Sequence, residues 1–155
     1  REVESRPDVL CYTTPPLQED TEVTGPLLVT LYASSSASDT DFTAKLVAVC
    51  PCGKVLALAD GVVRARYREG TGQARLLEPG CPYQFTIDLG ATSYLFRKGH
   101  RIGVEVSSSN FPRFDRNPNT GREPWEETEL RPALQSVFHD AAHPSHILLP
   151  VTPRR

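Results

Sequence analysis

The sequence predicts an all-β fold, a sandwich or jelly roll, in a single domain. Three observations carry this. Apolar and polar residues alternate with a period of two along most of the chain, as in strands that lay one face on a core. Turn residues recur at intervals of roughly ten residues, the spacing of short strands in an antiparallel sandwich. The chain also holds 14 prolines, and a proline inside a helix removes a hydrogen bond and clashes with the preceding turn.

The elements follow in order. Leu27, Val29, Leu31 and Ala33 alternate with Leu28, Thr30 and Tyr32. Phe42 to Cys50 is apolar on both faces near its middle, which predicts a central strand. Pro51-Cys52-Gly53 turns that strand into a partner over Lys54–Ala59, and Asp60-Gly61 is a short-hairpin signal. Val63, Ala65 and Tyr67 then begin a further strand, which places Arg64, Arg66 and Arg68 as a stripe on its other face. Glu69–Gly72 and Glu78–Gly80 bound a looser connection to the strand carrying Tyr83, Phe85, Ile87 and Leu89. Gly99-His100 precedes a strand with Ile102, Val104 and Val106 on one face. Leu130, Leu134 and Phe138 are spaced by four within Trp125–Phe138, which allows at most one short helix, limited by Pro132. His146 to Val151 is a short terminal strand. No linker, repeat or low-complexity tract divides residues 1–155, so one domain is expected.

Composition narrows the function. Hydrophobic residues make up 39% and charged residues 23%, values of an ordinary soluble domain. A net charge of -2 without a long basic run argues against nucleic acid or an anionic membrane as partner. No apolar run approaches the roughly 18 residues that span a bilayer. The chain contains no Met, so a piece of a longer polypeptide is expected. Cys11, Cys50, Cys52 and Cys81 are too sparse for a disulfide scaffold and are expected as free thiols of a cytoplasmic protein.

No constellation carries a hydrolytic site. The Gly-x-Ser-x-Gly elbow is absent, and Ser34–Ser36 and Ser107–Ser109 sit at strand ends as ordinary strand and turn serines. No catalytic residue, metal or cofactor is assigned. His139, His143 and His146 are loop histidines, interrupted by Pro144. Cys50-Pro51-Cys52 is a thiol pair whose spacing is not that of a zinc knuckle. Asp39 and Asp41 flank Thr40 ahead of an apolar strand. Their carboxylates suit turn capping, with hard-oxygen ligation of calcium as the sharper alternative. Arg64, Arg66 and Arg68 suit a solvated face paired with acids of a neighbouring strand, or a docking surface for an acidic partner.

The segment 107-SSSNFPRFDRNPNTG-121 is the informative one. Asn110, Phe111, Pro112, Arg113, Phe114, Asp115, Arg116, Asn117 and Asn119 combine too many aromatics for a free loop with too many turn residues for a strand. Asp115, between Arg113 and Arg116, is placed for local charge-assisted hydrogen bonds. The expectation is a rigid loop that presents Phe111 and Phe114 to another surface.

This segment resembles the signature of the C-terminal domain of CocE/NonD serine hydrolases, the group of cocaine esterases, α-amino acid ester hydrolases, glutaryl-cephalosporin acylases and, more distantly, X-Pro dipeptidyl peptidases. Asp8–Thr13, Glu22–Gly25, Ser38–Val47, Asp60–Arg68, Leu77–Gly80, Gly99–Ile102 and His143–Ile147 resemble it too, so the likeness covers nearly the whole chain. Cys50-Pro51-Cys52 departs from it, standing where the family tends to have Pro-Asp/Glu-Gly, and so does Pro124-Trp125. The resemblance implies a galactose-binding-like jelly roll, non-catalytic, at the C-terminus of a larger α/β-hydrolase. It places the Ser-His-Asp triad in that hydrolase domain, so no triad member carries over. It also makes the hydrolase domain of the same polypeptide the surface on which the loop docks. An isolated fragment would then expose Phe111 and Phe114 and tend to self-associate. The competing reading from fold alone is a stand-alone carbohydrate-binding module using Tyr32, Trp125 and Arg113.

Overall fold

The computed structural model describes residues 5–123 and 125–153. Among the described residues, eight strands form two antiparallel sheets: β1 (Leu10–Thr13), β2 (Thr21–Ser35), β3 (Asp41–Val49), β4 (Val55–Arg64), β5 (Tyr83–Phe96), β6 (Arg101–Ser107), β7 (Gln135–Phe138) and β8 (His146–Leu148). The first sheet has the order β1-β6-β3-β4. In the second, β2 pairs with β5 along one edge and with β7 and β8 in succession along the other. No helix of the described residues is long and apolar enough to cross a membrane.

The period-two pattern is used as expected. Leu27, Val29, Leu31 and Ala33 of β2, Phe42, Ala44, Leu46 and Ala48 of β3, and Phe85, Ile87 and Leu89 of β5 are all buried in one core. Phe42 and Phe85 bridge the two sheets with ring centroids 4.8 Å apart. β3 is central, held by β4 on one side and β6 on the other, which explains why it is apolar on both faces. The turn at Pro51-Cys52-Gly53 closes the β3–β4 hairpin.

Two expected elements differ. Asp60-Gly61 is not a turn: both residues lie inside β4, opposite Lys45 and Ala44. Gly61 faces inward where the edges of the two sheets meet, and a Cβ there would lie 2.1 Å from the carbonyl oxygen of Asp88 in β5. The glycine is present for a close backbone approach between sheets. β4 then ends at Arg64, and Ala65–Tyr67 form a single 3-10 turn rather than a new strand. The other difference is at Trp125–Phe138, which contains no helix. Its first part is irregular, and Gln135–Phe138 pair with Tyr32–Ser35 as β7. Pro132 removes the hydrogen bond a helix would need, and the free edge of β2 offers a full ladder instead.

Gly61→Ala is expected to destabilise the domain by at least about 1–3 kcal/mol through overpacking. Urea unfolding measures this, and wild-type stability of the variant would rule out the close contact.

Candidate functional site

The candidate loop leaves β6 at Ser107 and folds back over the outer face of the first sheet. Its first turn closes on itself, with the Arg113 and Phe114 N–H groups donating to the Asn110 carbonyl. The Phe111–Pro112 peptide bond is cis. Asp60 holds this turn from below. Its Oδ2 accepts from Asn110 Nδ2 at 2.7 Å and pairs with Arg113 Nε at 2.9 Å. The expected local bonds of Asp115 to its arginine neighbours therefore give way to a partner on β4. Arg116 lies over the Phe111 ring, 4.6 Å from guanidinium carbon to centroid, and Arg113 lies over Phe114 at 5.4 Å. Both contacts stiffen the aromatics through cation–π attraction.

The second half of the loop is pinned by a buried ionic cluster. Asp39 is fully buried and Arg66 is 3% exposed, with Arg66 Nε 2.8 Å from Asp39 Oδ2. The Arg66 backbone N–H donates to Asp39 Oδ1 at 3.0 Å. Asn117 Nδ2 bridges both carboxylates, at 3.0 Å to Asp39 and 2.8 Å to Asp41. Arg64 completes the set as a fork on Asp41, at 2.9 and 3.1 Å, and this bonding raises the pKa of its guanidinium. The remaining Arg66 donors reach Glu123 Oε1 at 3.2 Å and the Arg122 carbonyl at 2.6 Å. The buried Asp39 and Arg66 charges thus have opposite charges and hydrogen bonds in place of water, which a buried ion pair requires, while Glu123 Oε2 is buried without a hydrogen-bond partner.

Asn119 continues the pinning. Its N–H donates to Asn117 Oδ1, it adopts a positive φ of 62°, and its Nδ2 donates to the Arg131 carbonyl at 2.8 Å. Gly121 ends the loop at φ 79°, where a Cβ would come within 2.4 Å of Ser38 Oγ. The loop is rigid because both its halves are bonded to the sheet beneath.

The structure brings together most of the candidate residues. Asp39, Asp41, Arg64, Arg66, Asn117 and Asn119 form one connected framework. Asp39 caps a backbone N–H, as its turn-like sequence suggests, but that N–H belongs to Arg66 rather than to its own turn. The two carboxylates are engaged by arginine and asparagine donors. The arginine stripe is not a solvated strand face: Arg66 is buried, and Arg68 leaves the row to bond the Ala65 and Arg75 carbonyls and to stack on Tyr83 at 4.5 Å. Asp60 and Glu123 were not anticipated. Asp60 was hidden by its neighbour Gly61, which mimics a turn signal, and Glu123 becomes visible only when Arg66 is placed.

The loop leaves Phe111 outward beside the exposed Arg113, Asp115 and Arg116, whereas Phe114, expected to be presented with it, is half-buried. Phe111 is 55% exposed, and Leu10, Leu130 and Leu134 are exposed with it around one groove of about 820 Å³. Arg116 and Asn119 contribute to the same wall. This is a pre-shaped surface with aliphatic and aromatic contacts among polar groups of both charges, Arg116 and Arg131 with Asp8 and Glu105.

Other candidate chemistry is not assembled. The hydroxyls of Ser35 and Ser36 accept from the backbone N–H groups of Ala37 and Leu134, and Ser107 bonds Thr43. His143 lies against Asp140, and His146 Nδ1 against the Pro144 carbonyl. Among the described residues, no three His, Cys, Asp or Glu side chains converge as a metal site would require. All four cysteines are free thiols. Tyr32 faces outward from the second sheet, bonded to Gln84, whereas Arg113 sits on the outer face of the first. The carbohydrate candidates thus occupy opposite faces of the sandwich.

The fold is a two-sheet antiparallel sandwich with an interlocked presenting loop. The chain belongs to the X-Pro dipeptidyl-peptidase C-terminal non-catalytic domain family, whose model matches residues 2–148. It is 51% identical over 158 residues to the cocaine esterase of Rhodococcus sp. (strain MB1 Bresler), covering 99% of this chain and 27% of that protein. Among solved structures, an aminopeptidase from a marine sediment archaeon (Thaumarchaeota) matches at TM-score 0.89 and 35% identity, over 99% of this chain and 27% of its own. An α-amino acid ester hydrolase matches at TM-score 0.89 and 36% identity, over 98% and 27%. The chain thus spans 27% of the length of each of these relatives.

Arg66→Met is expected to cost about 3–5 kcal/mol, because Asp39 is left charged and buried without its cation. Arg113→Ala, on a side chain 63% exposed, is expected to cost no more than about 1 kcal/mol. Equilibrium unfolding of both variants checks the contrast, and equal losses would refute the ranking.

Proposed function

We propose that this chain is the supporting C-terminal domain of a larger CocE/NonD-type serine hydrolase acting on ester or amide bonds, and that the 107–121 loop docks it on the α/β-hydrolase domain of the same polypeptide. The observation that carries this is the contrast within the loop. Asn110, Arg113 and Asn117 are bonded inward to Asp60, Asp39 and Asp41, while Phe111 is held outward beside Leu130 and Leu134. Holding an apolar ring at the surface lowers the ordering cost of an interface that uses it. The relatives that match over nearly the whole of this chain are an esterase, an aminopeptidase and an ester hydrolase, which supports the reaction class.

The role follows from the physics. A rigid surface of apolar and mixed polar contacts covers part of a neighbouring domain, excludes water from that seam, and raises the stability of the pair. The nucleophile, base and oxyanion hole then belong to the other domain, and this one contributes a wall and a clamp.

Phe111→Ala separates docking from internal packing. In the isolated chain it is expected to change stability by no more than about 0.5 kcal/mol, as exposed substitutions do. In the intact hydrolase it is expected to weaken the domain seam by about 1–3 kcal/mol, as loss of a buried aromatic anchor does, with lower Tm and turnover. Full stability and turnover of the intact variant would overturn the docking role. Stoichiometric labelling of the isolated chain by a fluorophosphonate would overturn the non-catalytic one.

A further inference from the structure

The β3–β4 hairpin tip carries a feature that domain support does not use. Cys50-Pro51-Cys52-Gly53 is a tight turn in which the Gly53 N–H donates to the Cys50 carbonyl at 2.8 Å, and the Cys50 N–H donates to the Lys54 carbonyl at 2.8 Å. Pro51 takes the turn position that its fixed φ favours, and Gly53 follows at φ 79°. Cys50 Sγ accepts the Cys52 N–H at 3.3 Å, occupying the place an Asp or Ser oxygen takes in an Asx-type turn. This bond draws the Cys50 sulfur in against the backbone of Cys52. Cys52 is exposed and Cys50 is half-buried.

We infer that Cys50 and Cys52 form a chelating dithiol site for a soft, thiophilic metal or metalloid centre, of which trivalent arsenic is the simplest example. Soft thiolates prefer such centres, and two of them one residue apart are already paired by the turn. A direct disulfide between these positions closes a small ring. An inserted atom replaces one short S–S bond by two longer bonds and relaxes that ring. Cys81 is the contrast: it has no second thiol in its turn, and its own thiol donates to Glu78.

The site lies at the end of β3 opposite Asp41, roughly 30 Å along the strand from the docking framework. Occupancy there leaves the loop and its groove free. The reaction with an organoarsenic(III) oxide balances without an oxidant. Two As–S bonds form, the As–O bond is lost, and water departs with both thiol protons while arsenic stays trivalent.

The test uses phenylarsine oxide on the 155-residue chain, followed by excess glutathione and intact-mass measurement. A single adduct with loss of one water is expected to survive on the wild type and on the Cys11→Ser/Cys81→Ser variant. It is expected to resist displacement about 100-fold better than on Cys50→Ser or Cys52→Ser, because the second thiolate acts at high effective concentration. Serine keeps the acceptor that the turn uses, so these variants retain the hairpin. Survival of the adduct on either single variant, or its absence from the wild type, would overturn the proposal.

Discussion

The buried pair of Asp39 and Arg66 is the interaction on which the functional end of this domain depends. It joins three segments that are distant in sequence: the approach to β3, the turn after β4, and the loop after β6. Removing two charges from water is costly, and a hydrophobic pair of similar volume would serve packing as well or better. What the ionic pair adds is direction. Arg66 reaches Asp39, Glu123 and the Arg122 carbonyl with separate nitrogens, and Asn117 closes the gap between Asp39 and Asp41. Each bond has an angular requirement that apolar packing lacks. The loop consequently has one seating on the sheet.

That seating converts an ordinary sandwich into a presenting scaffold. The core of Phe42, Phe85, Leu31 and their neighbours supplies stability without dictating what the surface does. The outer face of the first sheet supplies Asp60 and Asp41 as fixed anchors, spaced along adjacent strands. With Asn110, Arg113 and Asn117 bonded below, the loop turns Phe111 outward and braces it with Arg116. A side chain so constrained loses little further freedom on burial, which is the physical reason such a loop suits a domain interface.

The same economy of backbone explains the corner of the sandwich. β4 and β5 belong to different sheets, yet Gly61 allows the Asp88 carbonyl to approach its α-carbon closely. Any side chain there would push the sheets apart. The next residue toward the tip, Asp60, points to the opposite face and anchors the loop, so adjacent residues serve the core seam and the docking surface. Strand alternation makes this double use automatic.

The sequence by itself determined the all-β class, the core faces of the strands at Leu27, Phe42, Phe85 and Ile102, the central position of β3, and the special character of residues 107–121. These follow from local periodicity and composition, which act within a few residues. It misread Asp60-Gly61 as a turn, since a glycine required by a neighbouring sheet looks the same as one required by φ. It also allowed a helix at 125–138, where the spacing by four was real but the free edge of β2 captured the chain. Only the tertiary structure decided that Asp39 would meet Arg66, that Asp60 rather than Asp115 would hold Arg113, and that Phe114 would be half-buried while Phe111 stayed outside. Those outcomes depend on which side chains become neighbours after the sheets pair, and burial then makes each unpaired charge too costly to tolerate.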